Sequence, residues 1–306
     1  MKTLVIGATG LIGRNLCRVF AAGGHTVSAV SRSVTKPAGL PVVETYQWEP
    51  ESGPLPQAAL DEVDAVVNVA GEPIDARRWN DEQKRRIRDS RVVATENIVE
   101  GLRSADRKPA IFVSGSAVGF YGDRGDEELD EHSPAGRGFM SELCQEWEAQ
   151  AARATDLGIR VVQVRTGVVL STESGALKKM LAPFKLGLGG TLGSGTQWFP
   201  WIHIEDIAGI FYHAIQTGSL TGPVNGGAPH PVTNSQFTRE LARTLHRPAF
   251  LPVPETAMRV LVGEMADVLF GSLRVLPKAA LASGYEFRHP QLAEALTNLL
   301  GRSAQV

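Results

Sequence analysis

The feature that most restricts the fold stands at the start of the chain. A short apolar run, residues 3–6, meets Gly7-Ala8-Thr9-Gly10-Leu11-Ile12-Gly13, and the helix-periodic stretch Leu11–Ala22 follows at once. Glycines three apart occur in many turns, but between a buried strand and a helix they have a narrower meaning. The first glycine permits a tight turn, the second lets backbone approach a pyrophosphate, and the third lets helix and strand pack closely. The helix start adds N–H donors and a favourable dipole. Gly7, Thr9, Gly10, Leu11, Ile12 and Gly13 are therefore expected to hold a dinucleotide. Its type is read at the end of the next strand, residues 26–30. A carboxylate there would bond a ribose 2′-hydroxyl, but this chain has Ser31-Arg32. A hydroxyl and a guanidinium suit a 2′-phosphate, so the expected cofactor is NADP(H).

Further strands are expected at residues 65–69, 110–113 and 160–164, with helical periodicity at 82–102 and 139–154. Short apolar strands alternating with amphipathic helices indicate βαβ units. The expected fold class is α/β, a Rossmann-type doubly wound parallel sheet with a smaller C-terminal α+β lobe. Residues 1–227 would form the NADP(H)-binding domain, with a substrate-side insertion at about 170–200, and residues 228–306 the smaller substrate-side domain. Five glycines in residues 186–195 mark a loop that must pass close to something. Helices are expected at Asn234–Leu245, 255–270 and 291–300.

A formal net charge of −2 over 306 residues gives no electrostatic case for nucleic acid or an anionic membrane surface. The one basic run, Lys84-Arg85-Arg86-Ile87-Arg88, fits a solvated helix face. Cys17 and Cys144 lie in helical patterns without metal-ligand spacing, so neither a metal site nor a disulfide framework is expected. There is no apolar leader before the first glycine and no membrane-length apolar run. The expected location is cytoplasmic.

Asn68-Val69-Ala70-Gly71 closes the strand at 65–69 with small residues that let a cofactor pass, and Asn68 can brace the backbone. Together with the glycine loop and Ser114-Gly115-Ser116, this resembles the extended short-chain dehydrogenase/reductase superfamily. Gly71-Glu72-Pro73-Ile74, Arg78-Trp79, Ser90-Arg91-Val92, Thr95, the run from Pro183 to Gly190 and the block from Gln197 to Asp206 narrow the resemblance. So do Arg274-Val275-Leu276-Pro277 and Gly284-Tyr285-Glu286-Phe287. They are similar to an atypical epimerase-like family with a C-terminal domain of unknown function, sometimes labelled as cell-division inhibitors. Glu72 and Arg91 complete the polar set expected beside the cofactor.

The resemblance implies a Ser–Tyr–Lys set in which tyrosine moves a proton and serine holds the substrate oxygen. Ser116 matches the serine. Residues four beyond Tyr46, Tyr121, Tyr212 and Tyr285 are Pro50, Gly125, Gln216 and His289, so no Tyr-x-x-x-Lys exists in the chain. On the helix expected to carry the pair, Phe139 and Leu143 replace it in one register, Met140 and Cys144 in the next. Tyr121, entering a pocket from its loop, and His203, which titrates near neutrality, are the substitute acid/base candidates. His203 also matches a His-x-x-Asp element that caps a helix through Asp206. The aromatics of Gln197-Trp198-Phe199-Pro200-Trp201 suit either a stacking wall or a plug between lobes. The expected function is an NADP(H)-binding epimerase- or reductase-like enzyme acting on a small or nucleotide-linked substrate. The alternative is a non-catalytic NADP(H)-binding regulator or redox sensor. Helical faces could pair two copies as a homodimer.

Overall fold

Seven parallel strands form the central sheet, in the order Glu44–Gln47, Thr26–Ser31, Lys2–Ile6, Ala65–Asn68, Ile111–Ala117, Arg160–Thr166, Gly222–Gly226. The computed structural model describes residues 1–33 and 38–301. Successive side chains leave a strand on opposite faces, so both faces of a covered sheet must be apolar. Leu4, Ile6, Val66, Phe112 and Val161 face one layer, packed with Ile98, Val99 and Leu102 of helix Val92–Ser104. Val5, Val27, Ala29, Val67 and Val113 face the other. There they meet Leu16 and Phe20 of helix Leu11–Ala22 and Ile207 and Phe211 of helix Ile204–Gln216. Each such side chain, fully buried, contributes roughly 1.5–3 kcal/mol. The chain winds outward from Lys2–Ile6 to Glu44–Gln47, then crosses to Ala65–Asn68 and winds the other way. This is the Rossmann-type doubly wound α/β fold, and its ligand crevice lies at that reversal, outside the carboxyl ends of the strands.

Three departures from the sequence expectations bear on the site. The strand expected at 110–113 runs on through Ser116 as Ile111–Ala117. The helix expected at 82–102 is two helices, Asp81–Asp89 and Val92–Ser104. At the break the Ser90 hydroxyl donates to the Ile87 carbonyl at 3.0 Å and accepts the Glu72 N–H at 2.9 Å, drawing the chain toward residue 72. The helix expected at 255–270 is likewise interrupted, because Gly263 takes φ +66° after helix Glu255–Val262.

Short ladders join the C-terminal segments to the main body: Glu128–Leu129 with Arg274–Val275, Trp198–Phe199 with Val232–Thr233, and Val168–Leu170 with Trp201–His203. The glycine-rich loop at 186–195 does pass close to a neighbour: a Cβ on Gly190 would sit 1.5 Å from the Leu251 carbonyl oxygen. Among the described residues, no helix is long and apolar enough to cross a membrane.

Candidate cofactor cradle and active site

The glycine loop sits at the crevice. Gly7 has φ +90°, and a Cβ there would lie 2.7 Å from the Ala70 nitrogen. A Cβ on Gly13 would lie 2.1 Å from the Gly7 carbonyl oxygen. The loop is thus a cradle that side chains at those two positions would fill. Gly10 donates its N–H to the Gly7 carbonyl at 3.0 Å and stands as the N-cap of Leu11–Ala22. No side chain caps that helix and no acidic residue occupies its first turn. Its N–H groups and dipole therefore suit an anion. Thr9 and Gly10 are exposed, and Leu11 and Ile12 are half-buried behind them.

On one flank of the loop, Ser31 ends its strand, and exposed Arg32 follows with its carbonyl held by Gln47 Nε2 at 3.2 Å. On the other flank, Asn68 Oδ1 accepts the Ala70 N–H at 3.1 Å, and its Nδ2 donates to Thr95 Oγ1 at 3.3 Å. Asn68 braces the Val69–Gly71 turn, as its type and place suggest. Glu72 is half-buried, with its carboxylate bonded by Gln83 Nε2 at 3.3 Å. Arg91 Nη1 donates to the carbonyls of Glu72 and Ile87, each at 3.0 Å. Its guanidinium lies over the Trp147 ring, 5.5 Å from the centroid.

The hydroxyls proposed for catalysis turn inward. Ser116, only 4% exposed, donates to Glu148 Oε1 at 2.6 Å. Glu148 also takes two bonds from Arg165, Nε to Oε1 and Nη2 to Oε2, both 2.8 Å. Arg165 Nη1 then reaches the Tyr121 hydroxyl at 3.0 Å, and that hydroxyl donates to Asn225 Oδ1 at 2.7 Å. Burial alone would pull the Arg165 guanidinium down, but Glu148 and Tyr121 outweigh it and the net shift is upward. For Tyr121 burial dominates despite the nearby cation, and its pKa is pushed up to about 12. The loop expected to carry Tyr121 into a pocket instead seats it at 0% exposure, edge-on to Phe120, whose ring lies 3.5 Å from the Arg165 guanidinium. With a donor and an acceptor both in place, the buried phenol is satisfied without water.

His203 caps helix Ile204–Gln216 itself, its Nδ1 accepting the Glu205 N–H at 3.1 Å. The expected cap through Asp206 is corrected: that carboxylate accepts the N–H groups of Arg288 and His289, at 2.7 and 3.0 Å, and the Tyr285 hydroxyl. Asp206 thereby ties the C-terminal segment to the main body. His203, Glu205 and His289 bring three possible metal-ligand atoms within 4.8 Å of one another. With Nδ1 accepting, however, neutral His203 carries its proton on Nε2 and presents a donor there, not a lone pair.

In the helix register, Met140 is the residue that meets the strand end, because a Cβ on Gly119 would touch the Met140 Cβ at 3.1 Å. Cys144 is buried beside Ser116, and burial pushes its thiol up to about 12. Phe139 instead stacks edge-on with Trp79, centroids 5.2 Å apart. Met140 thus packs beside Gly119 and Cys144 beside Ser116, while Phe139 turns to Trp79. The aromatic block is a plug: Trp201 is 1% exposed, Phe199 packs on Phe237, and Trp198 Nε1 bonds Asp126 at 2.9 Å. Glu148, Arg165 and Asn225 were not anticipated. Arg165 had a signal, as a charge inside the apolar strand Arg160–Thr166 requires a buried partner.

A family model described as the NAD dependent epimerase/dehydratase family matches residues 3–225. The chain belongs to that family. A second model, a domain of unknown function, matches residues 253–299. The chain is 39% identical over 304 residues to epimerase family protein SDR39U1 of Homo sapiens, covering 98% of this chain and 100% of that protein. It is 36% identical over 303 residues to epimerase family protein YfhF of Bacillus subtilis, covering 98% of each. Among solved structures, human SDR39U1 (isoform 2) with NADPH superposes with a TM-score of 0.90 at 38% identity, covering 98% of this chain and 99% of that one. A nucleoside-diphosphate sugar epimerase from Corynebacterium glutamicum superposes at 0.81 with 34% identity, and this chain spans 58% of it.

Proposed function

We propose that this chain is an NADP(H)-dependent oxidoreductase of the epimerase type that works without a Tyr-x-x-x-Lys pair. The observation that carries this is the glycine cradle at the sheet reversal, with Arg32 and no carboxylate at the end of the second strand. The residue set that would hold the cofactor is Gly7, Thr9, Gly10, Leu11, Ile12 and Gly13 for the pyrophosphate. Ser31 and Arg32 would take the 2′-phosphate, and Asn68, Val69, Ala70, Gly71, Glu72 and Arg91 the far half. The NADPH bound to the human relative supports this choice of cofactor. Bound there, the nicotinamide supplies or accepts a hydride. The protein's part is to orient it, keep water from it and present a small or nucleotide-linked substrate between the strand ends and residues 228–306.

Fluorescence titration with NADPH and NADH tests the assignment. NADPH should bind the more tightly, and Arg32→Ala should weaken NADPH by roughly ten- to hundredfold while leaving NADH unchanged. Equal affinities in the parent, indifferent to the substitution, would overturn it. A regulatory, non-catalytic role is favoured by one observation: Ser116 and Tyr121 both spend their hydroxyl protons inside the buried network. Transfer of deuterium from C4 of labelled NADPH to a carbonyl substrate would exclude that second role.

A further inference from the structure

Six large apolar side chains away from the central sheet stand in water: Leu186, Leu188, Phe250, Leu251, Val260 and Leu261, each between 44% and 78% exposed. Backbone contacts gather them on neighbouring segments. Arg247 Nε donates to the Lys185 carbonyl at 3.0 Å, and a Cβ on Gly187 would meet Pro248 at 3.5 Å. Gly190 lies against the Leu251 carbonyl, so the turn at 186–188 runs beside Phe250 and Leu251. The chain then bridges from Val253 to Leu192 and enters helix Glu255–Val262. After it, the short helix Ala266–Phe270 returns to the same loop, with Phe270 against Gly193.

Helix Glu255–Val262 shows that this surface needs cover. Ala257, Val260 and Leu261, at spacings of three and four, are exposed together, while Met258 and Val262 are half-buried. No residue of the helix is buried. A helix of that length is marginal in water and depends on packing, and apolar residues on both of its sides suit neighbours on both.

Area and charge tell which neighbour. A whole apolar side chain carries roughly 60–120 Å² of apolar surface. Weighted by exposure, the six amount to about four whole side chains, or roughly 240–480 Å² left bare. A stable protein interface buries about 800 Å² per partner, of which about 450 Å² is non-polar. The surface thus supplies the apolar share of one half-interface. Its nearby charges are matched within the chain: Arg259 pairs with Glu255 and Asp267, both at 2.8 Å, and Glu264 with Lys84. An identical surface can therefore approach without like-charge repulsion, as a twofold contact requires. Anionic lipid would favour basic residues, but residues 255–270 hold three acids and one arginine.

We infer that this surface is the contact between two copies of the chain, with helix Glu255–Val262 packed on its twin and the turn at 186–188 and Phe250 alongside. The glycine-rich loop at 186–195 is then steadied by Leu251 on one side and by the second copy on the other.

Sedimentation velocity of the full-length protein at about 1–100 µM tests this. The parent should be a dimer. Leu261→Glu and Phe250→Glu each place a charge in the contact twice, once per copy, and should weaken association by about a hundredfold or more. Both positions are exposed in the single chain, so far-UV circular dichroism should be unchanged. Val260→Thr, uncharged and of the same shape, should weaken association by roughly tenfold and guards against misfolding of the charged variants. A parent that stays monomeric throughout overturns the inference. So does a dimer that survives both glutamate substitutions, since its contact would then lie elsewhere. A monomeric parent that co-sediments with vesicles of phosphatidylcholine and phosphatidylglycerol, and loses that in Leu261→Glu, would overturn it in favour of lipid.

Discussion

Replacing Glu148 by Gln strikes the centre of the buried network. The carboxylate receives Ser116 at 2.6 Å and two nitrogens of Arg165 at 2.8 Å, while the side chains of Arg165 and Glu148 are only 5% and 10% exposed. In the variant one amide oxygen still accepts, but the amide N–H₂ faces donors and Arg165 loses its counter-charge. The guanidinium keeps the Tyr121 hydroxyl and the Phe120 face, 3.5 Å from that ring's centroid. Breaking a buried pair from one side costs about 3–5 kcal/mol, and the retained contacts favour the lower end, about 3 kcal/mol. For a chain of this size that lowers Tm by roughly 5 °C. Arg165→Met should cost a similar amount by stranding the carboxylate. The double variant removes both charges, so its cost should fall short of the sum by about 2 kcal/mol or more. Urea unfolding followed by tryptophan fluorescence, with m-values compared, gives all four corners of the cycle. Additive losses within about 0.5 kcal/mol would refute the coupling, and so would an intact Tm in Glu148→Gln.

Two further outcomes follow from the geometry. Gly13→Ala places a methyl 2.1 Å from the Gly7 carbonyl, so the cradle must shift; stability should fall by about 1–3 kcal/mol. NADPH titration should show the same variant losing affinity, and an affinity within twofold of the parent, about 0.4 kcal/mol, would contradict the cradle. His25 is held between Thr3 Oγ1 and Gln216 Nε2, at 2.8 and 3.0 Å, and its pKa is lowered by burial and then by the N-terminal charge. The unfolded chain therefore binds the proton more readily, so the stability this group contributes is complete above pH about 6.5 and is lost as pH falls below that. Denaturation curves at pH 7.5 and 5.5 should diverge less in His25→Gln than in the parent; equal divergence would discount His25.

The cradle was legible because its logic is local. Gly7 is demanded by its φ of +90° and Gly13 by a backbone approach of 2.1 Å to the Gly7 carbonyl, both within one strand–turn–helix unit, and spacing reports such units directly. Strand alternation gave the sheet for the same reason. The helix break at Ser90-Arg91 was not legible, since helical periodicity continues through it and the Glu72–Ser90 contact joins residues 18 apart. Nor was the inward turn of Ser116, which depends on a carboxylate 32 residues away and on a guanidinium from another strand. At the start of helix Ile204–Gln216 the cap belongs to the His203 ring and not to Asp206, to which the sequence assigns it. A histidine before Ile-Glu-Asp looks the same in sequence whether its ring or the following aspartate caps the helix.

The proton inventory at the strand ends limits what chemistry this site can do. Ser116 gives its proton to Glu148 and Tyr121 gives its own to Asn225. To act as a base at pH 7, Tyr121 would first have to ionise from a pKa of about 12. Five units at about 1.4 kcal/mol each make that a cost on the order of 7 kcal/mol. The Arg165 cation beside it does not remove this cost, because its charge is already matched by Glu148. Acting as an acid is no easier, as the resulting phenolate would sit at 0% exposure. Hydride transfer beside this network must therefore take its proton from a group outside it. Leaving proton movement to water or to the substrate would separate two tasks that a tyrosine–lysine pair performs together, holding the reactants and moving the proton.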